Sequence, residues 1–187
     1  SRRQRQMCIR DSIGKMGIPI IECADYLETS PLGRAEWIKF FGLLYGKEVE
    51  ADSIFTEVEK NYTELRDKIG VLSSAPVVIS ELKSGSAWYM PGGKSYMARF
   101  FKDAGAAYPW SDNTETGSIP LSFETVFNRA GKADIWLIKS FHVSELSYRT
   151  LQKEYAPYAR FKAFREKKIY GCDSVSYTHL RAHETKA

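Results

Sequence analysis

Three short apolar runs, each separated from the next by helix-spaced residues, constrain this chain more than any other feature. They are the run from Val77 to Leu82 in APVVISEL, ADIWLIK from Ala133 to Lys139, and KKIYG from Lys167 to Gly171. Each is too short for a helix, and near-continuous apolar runs mark strands covered on both faces. Between them, Lys94 to Ala104 presents Tyr96, Met97, Phe100 and Phe101 at helical spacing. Ser122 can cap a helix that carries Phe123, Val126, Phe127 and Ala130. Another helix is expected from Ser144 to about Lys153, and a further one from Tyr158 to Glu166. Strands that alternate with helices form right-handed parallel βαβ units. The expected fold class is therefore α/β, a three-layer lobe with a mainly parallel sheet over residues 75–173.

The residues before this lobe read differently. IPIIE, from Ile18 to Glu22, is expected to be a buried strand, and residues 13–33 the end of a preceding lobe. Pro31 and Gly33 mark a turn. Trp37, Phe40, Phe41 and Leu44 then fall on one helix face, Gly46 interrupts, and the spacing resumes with Phe55, Val58, Tyr62, Leu65 and Ile69 up to Gly70. Residues 34–74 thus read as a long connecting helix placed ahead of the lobe.

Both ends look foreign to the rest. SRRQRQMCIRDS (1–12) and SVSYTHLRAHETKA (174–187) resemble translated DNA adapter: one short element encodes QMCIRDS when read forward and SVSYTHL when inverted and read in another frame. Both stretches are expected to be adapter-derived and non-native. They hold six of the 27 basic residues and two of the 23 acidic ones, so the part between them is balanced at 21 and 21. The basic N-terminal cluster therefore gives no reason to expect a nucleic-acid partner. His179 and His183, spaced like a helical metal pair, also fall in the tail, which leaves His142 as the one histidine of the core. No metal site is expected on that basis. Cys23 and Cys172 define neither a disulfide framework nor a zinc site. No run of about 18 apolar residues is present.

Four stretches in order resemble the type III periplasmic binding proteins of ABC importers, the ferrichrome-, heme- and cobalamin-binding group, in its Bacteroides-like versions. They are ETSPLGRAEWIKFFGLLYGKE (28–48), SGSAWYMPGGKSYMARFFKDAGAAYPW (84–110), PLSFETVFNRAGKADIWLI (120–138) and EYAPYARFKAFREKKIYGCD (154–173). The resemblance implies part of a two-lobed, monomeric protein with ligand held between lobes joined by a long helix. It implies a periplasmic location, with a lipid anchor as an option. It implies capture of a small-molecule metal chelate, an iron–siderophore or heme, or of a corrinoid, for delivery to an inner-membrane permease and its ATPase. No enzyme activity and no resident cofactor are expected. Glu124, in the first turn of the Ser122 helix, matches the family's glutamate that pairs with permease arginines. Most of the first lobe, the secretion signal and the closing helices have no counterpart in these residues.

Ligands of open α/β sheets lie beyond the carboxyl ends of the strands. The stretch after Leu82 is there, and GSAWYMPGG is expected to be a ligand loop: Trp88, Tyr89 and Met90 as broad surfaces, with Gly92 and Gly93 opening a helix whose free N–H groups face an acidic group. Tyr96 follows on that helix. Trp110 and Ser111, with Asp112 and Thr114, form a second candidate, and Lys139 with Ser140 a third. Glu28 is a weaker candidate ahead of Pro31. No Gly-x-Ser-x-Gly, Walker loop or useful Cys–His pair is present. The alternative is a doubly wound enzyme domain that binds a nucleotide or phosphorylated substrate at Gly92 and Gly93.

Overall fold

A computed structural model describes residues 11–21, 23–69, 74–139, 146–172 and 177–179. The three apolar runs form the expected strands β1 (Val78–Ser80), β5 (Ile135–Ile138) and β6 (Ile169–Cys172). β1 and β6 flank β5 in parallel, with Val78 opposite Ile135 and Trp136 opposite Ile169. A short strand β7 (Tyr177–His179) adds antiparallel to β6.

The segment expected to be a ligand loop is instead a strand. Lys83–Ser84 (β2) and Ala87–Pro91 (β3) form a hairpin, and Ser118–Leu121 (β4) pairs antiparallel with β3 to complete a second, three-stranded sheet. Gly85 and Ser86 make the two-residue turn, with Gly85 at φ 60°, a value that glycine takes without strain. Pro120 is tolerated because β4 lies at the sheet edge.

The connecting region is two helices, not one. α1 (Pro31–Tyr45) starts on Ser30, whose hydroxyl accepts from the Gly33 N–H at 3.4 Å, with Pro31 in the first turn. It stops at Gly46, which is left-handed at φ 64°. α2 (Glu48–Ile69) then begins with Glu48 and Glu50 and ends with Arg66 and Lys68, charges that suit the helix dipole. A Cβ on Gly42 would lie 2.4 Å from that of Ala51, so the two helices meet at closest backbone approach. Gly70 lies outside the described residues. IPIIE is not a strand over its described residues: Ile18, Ile20 and Ile21 are exposed and find no sheet partner there.

α3 (Tyr96–Asp103) is capped by Ser95 and α4 (Phe123–Ala130) by Ser122. The Tyr62 hydroxyl donates to Asp103 Oδ2 at 3.0 Å and fastens α2 to α3; burial, then Asp103 itself, pushes the phenol up to about 12. α5 (Tyr148–Glu154) starts at Ser147, three residues later than expected, because Ser147 and Thr150 complete a capping box. The expected helix from Tyr158 to Glu166 divides into a 3-10 turn (Ala156–Arg160) and a short α6 (Lys162–Arg165), since Phe161 between them is extended.

The core draws on both sheets and on the helices, and is built largely of rings. Trp88, Trp136, Tyr158 and Phe161 are fully buried. Trp136 lies 5.4 Å from Trp88, 5.2 Å from Tyr158 and 5.1 Å from Phe161, in tilted and edge-on contacts. Each indole N–H finds a carbonyl at the end of β1: Trp88 donates to Ser80 O at 3.1 Å, Trp136 to Glu81 O at 2.9 Å.

One polar tie predicts a pH response. Asp134 accepts the Val77 N–H at 2.9 Å and the Lys162 ammonium at 2.6 Å. The hydrogen bond from Lys162, then that from Val77, holds the Asp134 carboxyl below its ordinary value of 3.8. A carboxyl depressed on folding contributes stability above its unfolded value and loses it as pH falls through the folded one. Asp134→Asn should therefore lower the urea midpoint at pH 7, and the gap to the parent should shrink below about pH 4. An unchanging gap from pH 7 to pH 2.5 would refute this.

Candidate functional site

β1 and β5 both end at the same edge of the parallel sheet. Beyond their carboxyl ends the chain forms a half-open cleft of about 600 Å³. Glu81 and Leu82 follow β1, Lys139 follows β5, and Tyr89 comes from β3. Ser95, Tyr96 and Met97 supply a second wall, Thr116 to Ser118 a third, and Leu27, Glu28, Thr29 and Arg34 close the side nearest α1.

Glu81 is held firmly at the floor. Its backbone is left-handed at φ 64°, a conformation that costs a non-glycine residue energy. Its N–H donates to Leu137 O at 2.9 Å, its carbonyl takes the Trp136 indole, and its carboxylate pairs with Lys139 at 2.9 Å. On the far side the Arg34 guanidinium lies 5.0 Å from the centre of the Tyr96 ring and 3.7 Å from Asp25. Glu28 accepts from the Trp37 indole at 3.3 Å. The cleft thus offers two phenol rings between two cation–carboxylate pairs. Among the described residues it contains no nucleophile–base pair.

A model of the family described as periplasmic binding protein matches residues 11–175. The chain belongs to the periplasmic binding protein family. Among curated relatives, an uncharacterized lipoprotein of Methanocaldococcus jannaschii is 33% identical over 171 residues, covering 89% of this chain and 39% of the relative. A second lipoprotein of that organism is 25% identical over 168 residues, covering 87% and 42%. The chain therefore spans less than half the length of these relatives. Among solved structures, the periplasmic heme-binding protein HutB of Vibrio cholerae superposes with a TM-score of 0.69 at 19% identity, over 90% of this chain and 64% of that one. IsdE of S. aureus, complexed with heme, gives 0.61 at 21% identity, over 78% and 57%. An ABC-type Fe3+-hydroxamate transport protein of Saccharomonospora viridis gives 0.67 at 14%, over 91% and 60%. The fold is that of one α/β lobe of such a binding protein, and the family is one of binding proteins rather than enzymes.

Within this binding-protein lobe the sequence-derived candidates divide. Side chains alternate along a strand, and GSAWYMPGG contains one. Tyr89 points out, 49% exposed, and lines the cleft with Tyr96. Trp88 and Met90 point in and are fully buried, so their expected place on the ligand surface is corrected: both fill the core. Trp110 is corrected likewise. It is 3% exposed, 5.8 Å from Tyr108, and covered by Arg129, which also pairs with Asp112 at 2.8 Å.

The Gly92 end of the cradle expected at Gly92 and Gly93 is closed to an anion. The Gly92 N–H donates to Gly117 O at 2.7 Å and the Lys94 N–H to Glu115 O at 3.0 Å. The pair exists so that the 110–117 loop can press on the backbone: a Cβ on Gly92 would lie 2.3 Å from Glu115 O. Ser111 is exposed and lines an adjoining basin beside Lys94. Glu124 is exposed in the first turn of α4. Lys139 is at the cleft, whereas Ser140 and His142 lie outside the described residues. Arg34 and Glu81 were not legible as site residues, because nothing local in the sequence shows that they meet.

Proposed function

We propose that this chain is the ligand-gripping part of an extracytoplasmic solute-binding protein of an ABC importer. It captures an iron–siderophore complex, heme or a corrinoid and delivers it to an inner-membrane permease. The observation that carries this reading is the half-open cleft at the carboxyl ends of β1 and β5, presented by Tyr89 and Tyr96. Its volume and its mixture of rings and charged tips suit a bulky, flat or chelating ligand. The heme-binding and hydroxamate-transport proteins among the structural neighbours support the ligand class. Lipoproteins among the relatives support a lipid anchor on the full protein. Glu124, exposed in the first turn of a helix whose opposite face packs on the core, serves as the docking carboxylate toward the permease.

Titration with haemin, a ferric hydroxamate siderophore and cobalamin tests this. One of the three should bind saturably and one to one. Tyr89→Ala should weaken that binding by about tenfold or more, while its melting temperature stays within a few degrees, since Tyr89 is half exposed. No saturable binding of any of the three would overturn the proposal.

The competing reading, a nucleotide-binding enzyme domain, has lost part of its support. It placed the phosphate at Gly92 and Gly93, and the Gly92 amide, with that of Lys94 beside the pair, is taken by the chain's own carbonyls.

A further inference from the structure

The cleft does not stop at Ser95. A second basin of about 710 Å³ shares Thr29, Ser95 and Thr116 with it and continues along α3. The two differ in charge. The charged side chains of the first are Glu28, Arg34, Glu81 and Lys139, two of each sign. The second is lined by three basic side chains, Lys94, Arg99 and Lys102, and no carboxylate. Arg99 and Lys102 lie three residues apart on one helix face, and Lys94 comes from the turn that precedes it. The Arg99 Nε is fixed by both oxygens of Asp103, at 3.1 and 3.2 Å, which holds the planar guanidinium in place. Lys94 and Lys102 enter no ion pair among the described residues. Such a local excess is unusual here, because residues 13–173 carry equal numbers of acids and bases. Asp103 offsets the charge of Arg99, which leaves Lys94 and Lys102 as two uncompensated cations at one concavity, a positive field that attracts an anion.

We propose that this basin is an anion subsite of the ligand cleft. The ligand's apolar or aromatic body rests against Tyr89 and Tyr96, and an arm bearing carboxylate or phosphate oxygens passes Thr116 to reach Lys94, Arg99 and Lys102. This rests on the solute-binding reading above and narrows it to ligands with at least one acidic arm. Ser111 and Thr116 add hydroxyls to the same wall. Arg34, Lys139 and Arg99 each already face a carboxylate, so Lys94 and Lys102 supply most of the attraction and Arg99 adds its remaining N–H donors.

The test uses three probes on the chain and on a Lys94→Gln/Lys102→Gln double variant. Inorganic phosphate, followed by backbone amide NMR, should shift residues 93–102 saturably in the parent. The effect should fade with salt and disappear in the double variant. Haemin, which carries two carboxylates, should bind the double variant about tenfold more weakly. Haemin dimethyl ester, with the same flat body and no acid, should bind both proteins within twofold. Both lysines are exposed, so the variant should melt with the parent. Unmoved amides in the parent, or an equal loss for haemin and its ester, would overturn the anion subsite. If neither haemin nor its ester binds the parent, a flat ligand body is wrong, and the phosphate arm alone decides the subsite.

Discussion

Trp88→Ala should leave the chain largely unfolded at temperatures where the parent is folded. The side chain is fully buried. It touches Trp136 at 5.4 Å, Tyr158 at 5.6 Å, Phe161 at 5.6 Å and Phe123 at 6.5 Å between ring centres. These neighbours are attached to β5, the 3-10 turn, the extended residue after it and α4, so they cannot all move in to fill the void. Truncating a buried tryptophan costs about 3–5 kcal/mol, a large share of the roughly 5–15 kcal/mol that holds a domain together. Trp88→Phe should lose less, since it keeps a ring while surrendering the hydrogen bond to Ser80 O. Urea denaturation followed by far-ultraviolet circular dichroism measures both. A loss below about 1 kcal/mol for the alanine variant would show that this core can repack, against the usual cost of such a cavity.

Gly93→Ala should be nearly as damaging, and for the opposite reason. A methyl group there would lie 2.3 Å from Asn113 O, 2.5 Å from Trp110 O and 2.9 Å from Asn113 N. All three are backbone atoms, so no side chain can swing aside. The loop must lift, and overpacking of this kind costs about 1–3 kcal/mol or more. The displaced loop carries Thr116, which walls both the aromatic cleft and the basic basin. Stability and ligand affinity should therefore fall together. A thermal melt and a haemin titration on the same sample would show it, and a variant with unchanged melting and affinity would contradict the close approach.

Much of the fold was legible in the sequence because its signals are local. The runs in APVVISEL, ADIWLIK and KKIYG read as buried strands, and parallel pairing of the three followed from the helices between them. Ser122 announced its helix correctly. Other features depend on contacts between distant residues. AWYMP looks like a loop beside its serines and glycines, yet it becomes a strand because β4, some thirty positions later, supplies its hydrogen-bonding partner. That one difference decides the fate of its aromatics, since the pleat sends Trp88 inward and Tyr89 outward. Ile18, Ile20 and Ile21 show the converse: β-branched residues favour a strand, but a strand needs a neighbour. The candidate site was visible as a location, the carboxyl edge of the sheet, and only partly as residues. Tyr89, Tyr96 and Lys139 were within reach of sequence reasoning. Arg34 and Glu81 were not, because Arg34 comes from a helix far upstream and Glu81 is singled out by a backbone angle that no composition reveals.

The two indoles that grip the end of β1 carry an evolutionary consequence. By binding the carbonyls of Ser80 and Glu81 from beneath, Trp88 and Trp136 fix the main chain under the cleft independently of whatever occupies it. An arriving ligand meets the side chains of Glu81, Leu82 and Lys139 rather than those two carbonyls. Ligand preference can then drift by point substitutions at those tips while the scaffold beneath them stays constant. One inherited floor could in this way serve lineages that import chemically different cargoes.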